Sequence, residues 1–193
     1  MSRKKEHFSK SLLILVIMLL FFLVLTVLFY VLYHSTLISC FYSLFVTALT
    51  FLYHFVMRVA VGECVTLIYA KREFHYSARW YQQNRFEKAV YKLLRIKRWK
   101  SKAITAKPWQ FDIKNRTYEE LLHNMTQAEI VHEIIMVLSF VPIGFTYWFG
   151  AGIVFVITSV AACCIDLYFV MIQRYNRPRV LALKKAMERR RGG

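Results

Sequence analysis

Apolar positions in this chain fall into four long blocks. Residues 12–33 hold no charged side chain, and after a short polar step at His34, Ser35 and Thr36 a second apolar run, residues 37–61, carries His54 and Arg58 one helical turn apart near its end. Each is about the ~20 residues that a helix needs to cross the hydrocarbon core of a bilayer. A third block, 130–149, carries Pro142 and Gly144. A kinked span is predicted there, because membrane helices tolerate proline. The fourth, 153–172, follows a tight uncharged turn at 150–152 and contains Asp166. A secretory signal has a shorter apolar core of roughly 7–15 residues and a small-residue cleavage site. The first block has neither property and reads as a retained helix.

Between the second and third blocks the pattern changes. Over residues 62–129 lysine and arginine recur every few positions, interleaved with aromatic residues such as Trp80, Tyr81, Phe86, Tyr91 and Trp99. No apolar run there is long enough to span. The alternation predicts amphipathic helices lying on the membrane, aromatic side down and basic side towards the headgroups. One is expected at about 84–100. A second is expected from Thr117, with Glu119 and Glu120 in its first turn complementing the helix dipole. After the fourth block comes a basic tail, 174–193, with a sharp break expected at Pro178. Asn176 is placed to cap a short tail helix.

Composition sharpens this picture. The 193 residues are 58% hydrophobic yet carry a net charge of +16, against about 45–50% apolar in an ordinary soluble domain. The two excesses are segregated. The connections at 34–36 and 150–152 contain no lysine or arginine, so nearly all 27 basic residues lie in the N-terminus, the central segment and the tail. Four crossings place those three parts on one side, and the positive-inside rule makes that side cytoplasmic. The fold class is therefore an all-α integral membrane protein. It is one membrane domain, 1–193, with four transmembrane helices and a basic cytoplasmic amphipathic-helical segment between the second and third. The basic aromatic segment is wedged between spans, so its expected partners are anionic membrane lipids and not nucleic acid. Cys40, Cys64, Cys163 and Cys164 contain no CxxC pair, which suggests neither a zinc site nor a disulfide framework.

Several polar groups exceed what topology requires. Glu129 and His132 are three residues apart at the mouth of the third span, on one face of a helix. A histidine oriented by a carboxylate is a competent general base; the pair would equally serve as an interfacial patch at a helix end. A zinc-protease motif is excluded because Met136 stands where a second histidine is required. In QRYNRPRV (173–180) the arginines suit a helix end, whereas Asn176 and Pro178 are additional. In IKRWK (96–100), Trp99 between cations suits an interfacial anchor or a platform for a sugar ring. Arg58 is expected to snorkel to the interface. Asp166 has His54 or Arg58 as candidate partners, and Glu63 is another for Arg58.

The segments FEKAVYKLLRIKRWK (86–100), AEIVH (128–132) and QRYNRPRV (173–180), in this order, resemble the glycosyl-4,4'-diaponeurosporenoate acyltransferases. These are the membrane acyltransferases of staphyloxanthin, a carotenoid. The sequence departs from the family pattern at Glu133, where an aromatic is usual. The resemblance implies transfer of a fatty acyl group to a hydroxyl of a glycolipid or other lipid-linked acceptor, at the cytoplasmic face of a bacterial cell membrane. It implies site residues Trp99, Lys100, Glu129, His132, Arg174, Asn176, Arg177 and Arg179. His132 would take the hydroxyl proton with Glu129 orienting it. Arg174, Asn176 or Arg177 would face the developing oxyanion. The donor would be an acyl-CoA or an acyl carrier protein, with no cofactor and no metal. The alternatives are a non-catalytic membrane scaffold, or a small lipid transporter with Asp166 and Arg58 along its path.

Overall fold

The computed structural model describes residues 10–69, 76, 78–99, 108–112 and 115–192, and among these there is no strand. The first two helices are α1 (Lys10–Thr36) and α2 (Ser39–Tyr69). The break between them falls at Leu37, slightly later than the polar step suggests. Leu37 takes a left-handed φ of 55°, and its N–H donates to the Tyr33 carbonyl at 2.7 Å. This closes α1 by the single bond that a left-handed cap supplies. Helix α2 continues past residue 61, through Gly62 and Glu63, because nothing in that stretch removes a backbone donor.

The expected amphipathic helix at 84–100 is two pieces, α3 (Arg85–Leu93) and α4 (Ile96–Trp99). Asn84 starts α3 with a capping box: its side chain accepts from the Glu87 N–H, and the Glu87 carboxylate accepts from the Asn84 N–H. These two bonds satisfy two of the orphan donors at the helix start. Arg95, at φ 50°, makes the elbow that separates α3 from α4. Thr117 and Glu120 form a second capping box, which starts α5 (Tyr118–Leu138) where the sequence placed a helix start.

Two prolines show how a lost backbone bond is replaced. Proline lacks the N–H that would reach the carbonyl four residues back. Before Pro142 that carbonyl belongs to Leu138, and the Tyr53 hydroxyl of α2 donates to it at 2.9 Å. Here the helix ends, and two single turns follow, α6 (Val141–Gly144) and α7 (Thr146–Phe149). Gly150, at φ 65°, then turns the chain into α8 (Gly152–Arg191). Before Pro178 the freed carbonyl is that of Arg174, and Gln83 Nε2 donates to it at 2.7 Å. The sharp break expected at Pro178 is not made. Helix α8 runs through it as one piece of 40 residues, so Asn176 is interior to a helix and caps nothing.

Among the described residues, four stretches are long and apolar enough to cross a membrane: Leu13–Thr36, Ser39–Tyr69, Tyr118–Phe149 and Gly152–Arg191. Helix α1 packs along α2, and α5 along α8, with α2 touching α5 and α8. Met57, Val61 and Val65 of α2 meet Ile135 of α5 in the core. Outward faces remain apolar, as at Val24, Val137 and Ile153, which fits a surface meeting lipid instead of water.

Candidate active site

Two charged clusters bind α2, α5 and α8 together. The first is centred on Asp166 of α8, which is fully buried. Its Oδ1 accepts from His132 Nδ1 of α5 at 2.8 Å, and its Oδ2 is held by the Arg58 guanidinium of α2. Arg58 therefore turns inward to a buried carboxylate and does not snorkel outward. A buried charge needs such a partner, because desolvating it alone costs several kcal/mol. The His132 ring stacks on Phe169 at 4.7 Å between centroids, and its side chain stays 23% exposed. A carboxylate at Nδ1 suits the tautomer whose N–H is on Nδ1, which leaves Nε2 as the nitrogen with the open lone pair. The His54 carbonyl accepts from Arg58 Nη1 at 3.1 Å, but its imidazole takes no part: both ring nitrogens are buried without a hydrogen-bond partner among the described residues.

The second cluster is centred on Glu129, one turn before His132 and also fully buried. Both of its oxygens are taken by arginines from α8. Arg174 Nε donates to Oε1 at 2.7 Å and Arg177 Nη2 to Oε2 at 2.5 Å. Glu129 therefore does not orient His132. Sharing a helix face brought the two close, but the arginines hold the carboxylate and Asp166 holds the imidazole. Arg174 also donates to Glu87 of α3 at 2.5 Å and to Glu133 at 3.1 Å, with its guanidinium over the Trp80 ring. Glu133 in turn accepts from Trp80 Nε1. Arg177 donates to the Tyr81 carbonyl at 2.8 Å and lies over that ring. Removing one member of such a buried set costs about 3–5 kcal/mol, because the remaining charge loses its partner.

A family model for glycosyl-4,4'-diaponeurosporenoate acyltransferase matches residues 77–186, more than half of the chain. The chain belongs to this family. The acyltransferase match spans α3, α4, α5 and most of α8, and so contains both clusters except Arg58. No curated protein and no solved structure matches the chain.

Six of the eight site residues read from the sequence are described with their side chains. Glu129, Arg174 and Arg177 meet in one network, His132 lies one turn away, and Asn176 is half-buried between the arginines. Arg179 is exposed; its Nη2 donates to the Tyr175 hydroxyl at 2.8 Å and its guanidinium lies over that ring. Trp99 closes α4, but its side chain, like all of Lys100, lies outside the described residues. The sequence reading did not connect Asp166 with His132. Helix register contained that signal: His132 lies 18 residues before the turn at Gly150 and Asp166 lies 16 after it. Two antiparallel helices joined there bring those positions level.

Proposed function

We propose that this membrane acyltransferase moves a fatty acyl group from a thioester donor, an acyl-CoA or an acyl carrier protein, to a hydroxyl of a lipid-linked acceptor. The acceptor is a sugar hydroxyl of a glycolipid, and the reaction faces the cytoplasm of a bacterial cell. The observation that carries this reading is the His132–Asp166 pair, with Arg58 on the second carboxylate oxygen. A buried carboxylate fixes the ring and its tautomer and stabilises the imidazolium that forms.

His132 Nε2 takes the proton of the acceptor hydroxyl as its oxygen attacks the thioester carbonyl carbon. A C–O bond forms and the carbonyl oxygen becomes an oxyanion. Arg177 Nε, buried without a partner among the described residues, is the donor that remains for it. Collapse breaks the C–S bond, and the imidazolium returns its proton to the leaving thiolate. The products are an ester and a free thiol. Arg174 has Nε and both terminal nitrogens engaged by carboxylates, so it positions α3, α5 and α8. Arg179 and, from the family resemblance, Trp99 and Lys100 serve substrate binding.

The test is acylation of lipid acceptors by purified protein, read as a mass increment equal to one acyl chain. His132→Ala, checked for an intact helical spectrum, is expected to abolish the increment. Retained turnover in that variant rules the mechanism out. Redistribution of lipid between leaflets with no mass change would instead indicate a transporter.

A further inference from the structure

Beside the arginine network, α3 and α4 enclose an open cavity of about 450 Å³. That lies within the ~300–1,000 Å³ of small-molecule sites. Lys88 and Lys92 face it from α3, and Arg95, Lys97 and Arg98 from the elbow and α4. All five are exposed, and none makes an ion pair among the described residues. This contrasts with Arg174 alongside, whose Nε and both terminal nitrogens are bonded to carboxylates. Buried Ile96 and the rings of Tyr91 and Tyr175 supply an apolar side. Burial, and then the neighbouring Glu87 carboxylate, pushes the Tyr91 phenol up to about 12, so it stays an uncharged O–H.

The elbow is itself informative. Arg95 adopts the left-handed region at φ 50°, a strained backbone for a side-chain-bearing residue. This turn brings the cations of α4 to the same opening as those of α3. Arg179 stands at the Tyr175 edge. Gln83, also in the wall, is bonded to the Arg174 carbonyl, and so links the cavity to the helix carrying Asp166.

We infer that this cavity holds the phosphate-bearing nucleotide head of a coenzyme A thioester, delivering the acyl carbonyl towards His132. Unpaired cations around a concave opening suit several phosphates at once. An aromatic and aliphatic wall suits a planar base, and a cavity of this size receives a small molecule better than the convex face of a carrier protein. The inference rests on the thioester reading above.

The experiment uses full-length protein in nanodiscs and adenosine 3′,5′-bisphosphate, which carries the charge of the nucleotide head but no thioester. Titration calorimetry is expected to show binding, weakened about tenfold or more by the double variant Lys92→Ala/Lys97→Ala. The KM for acyl-CoA should rise by a similar factor with kcat retained. His132→Ala should bind the bisphosphate like the native protein while losing turnover, so failure of the catalytic reading would leave the cavity assignment intact. No binding to active protein overturns the proposal. So does an unchanged KM in the double variant, or turnover with acyl carrier protein alone. If phosphatidylglycerol nanodiscs abolish binding and the double variant leaves KM unmoved, the cations belong to lipid headgroups and the proposal fails.

Discussion

At the scale of single residues, Asp166 does more than neutralise Arg58. It accepts from Nδ1 of His132 and so fixes which nitrogen carries the proton. An asparagine there keeps the shape but can present its amide N–H to the ring, favouring the wrong tautomer. Asp166→Asn is therefore expected to lower kcat about a hundredfold or more while KM moves little. Arg58→Gln/Asp166→Asn, which also removes the stranded cation, should recover stability but not kcat. Recovery of both would make Asp166 purely structural. This pairing also shows where the sequence stopped being legible. Spacing along one helix placed Glu129 one turn from His132, and Asp166 had His54 or Arg58 as candidate partners, of which Arg58 is the one that bonds it. Spacing cannot say which partner arrives from another helix, and Arg174 and Arg177 reached Glu129 first.

At the scale of elements, the chain keeps α8 intact across Pro178 by supplying a donor from elsewhere. Gln83 is the residue just before the Asn84 cap, so the start of α3 and the proline in α8 are energetically linked. Replacing Gln83 with leucine leaves the Arg174 carbonyl unsatisfied, at about 1–3 kcal/mol. In a Pro178→Ala background the new N–H can make the normal intrahelical bond, and the same leucine should cost far less. A double-mutant cycle read by equilibrium unfolding in mixed micelles measures this coupling. Additive effects would show that Gln83 does not serve the proline. The sequence led to a tolerated kink at Pro142, where the helix instead ends in two single turns, and to a sharp break at Pro178, where the helix instead continues. The difference could not be read locally, because the replacement donor lies 91 residues away in the chain.

At the scale of the molecule, four hydrophobic blocks and a segregated charge were enough to give the helical architecture, because period and length are local properties. Sidedness is the remaining whole-molecule inference. Helix α8, at 40 residues, is about 60 Å long, roughly twice the hydrocarbon core. Its basic C-terminal part must then stand clear of the membrane, tied to α5 by Lys184, which bonds Glu119 at 2.8 Å. Four crossings would put that part and the turn at Leu37 on opposite faces, and the positive-inside rule predicts a cytoplasmic location for the cation-rich one. To test this, the four native cysteines are first replaced, and Leu37→Cys and Glu188→Cys are then introduced separately at exposed positions. A membrane-impermeant maleimide should label the first in intact cells, and the second only after permeabilisation. The reverse pattern would invert the protein and move the acyl-transfer site to the outer face, where neither acyl-CoA nor acyl carrier protein could supply it. Labelling of both from outside would mean that an even number of crossings separates them, and one of α2, α5 and α8 would then fail to span the bilayer.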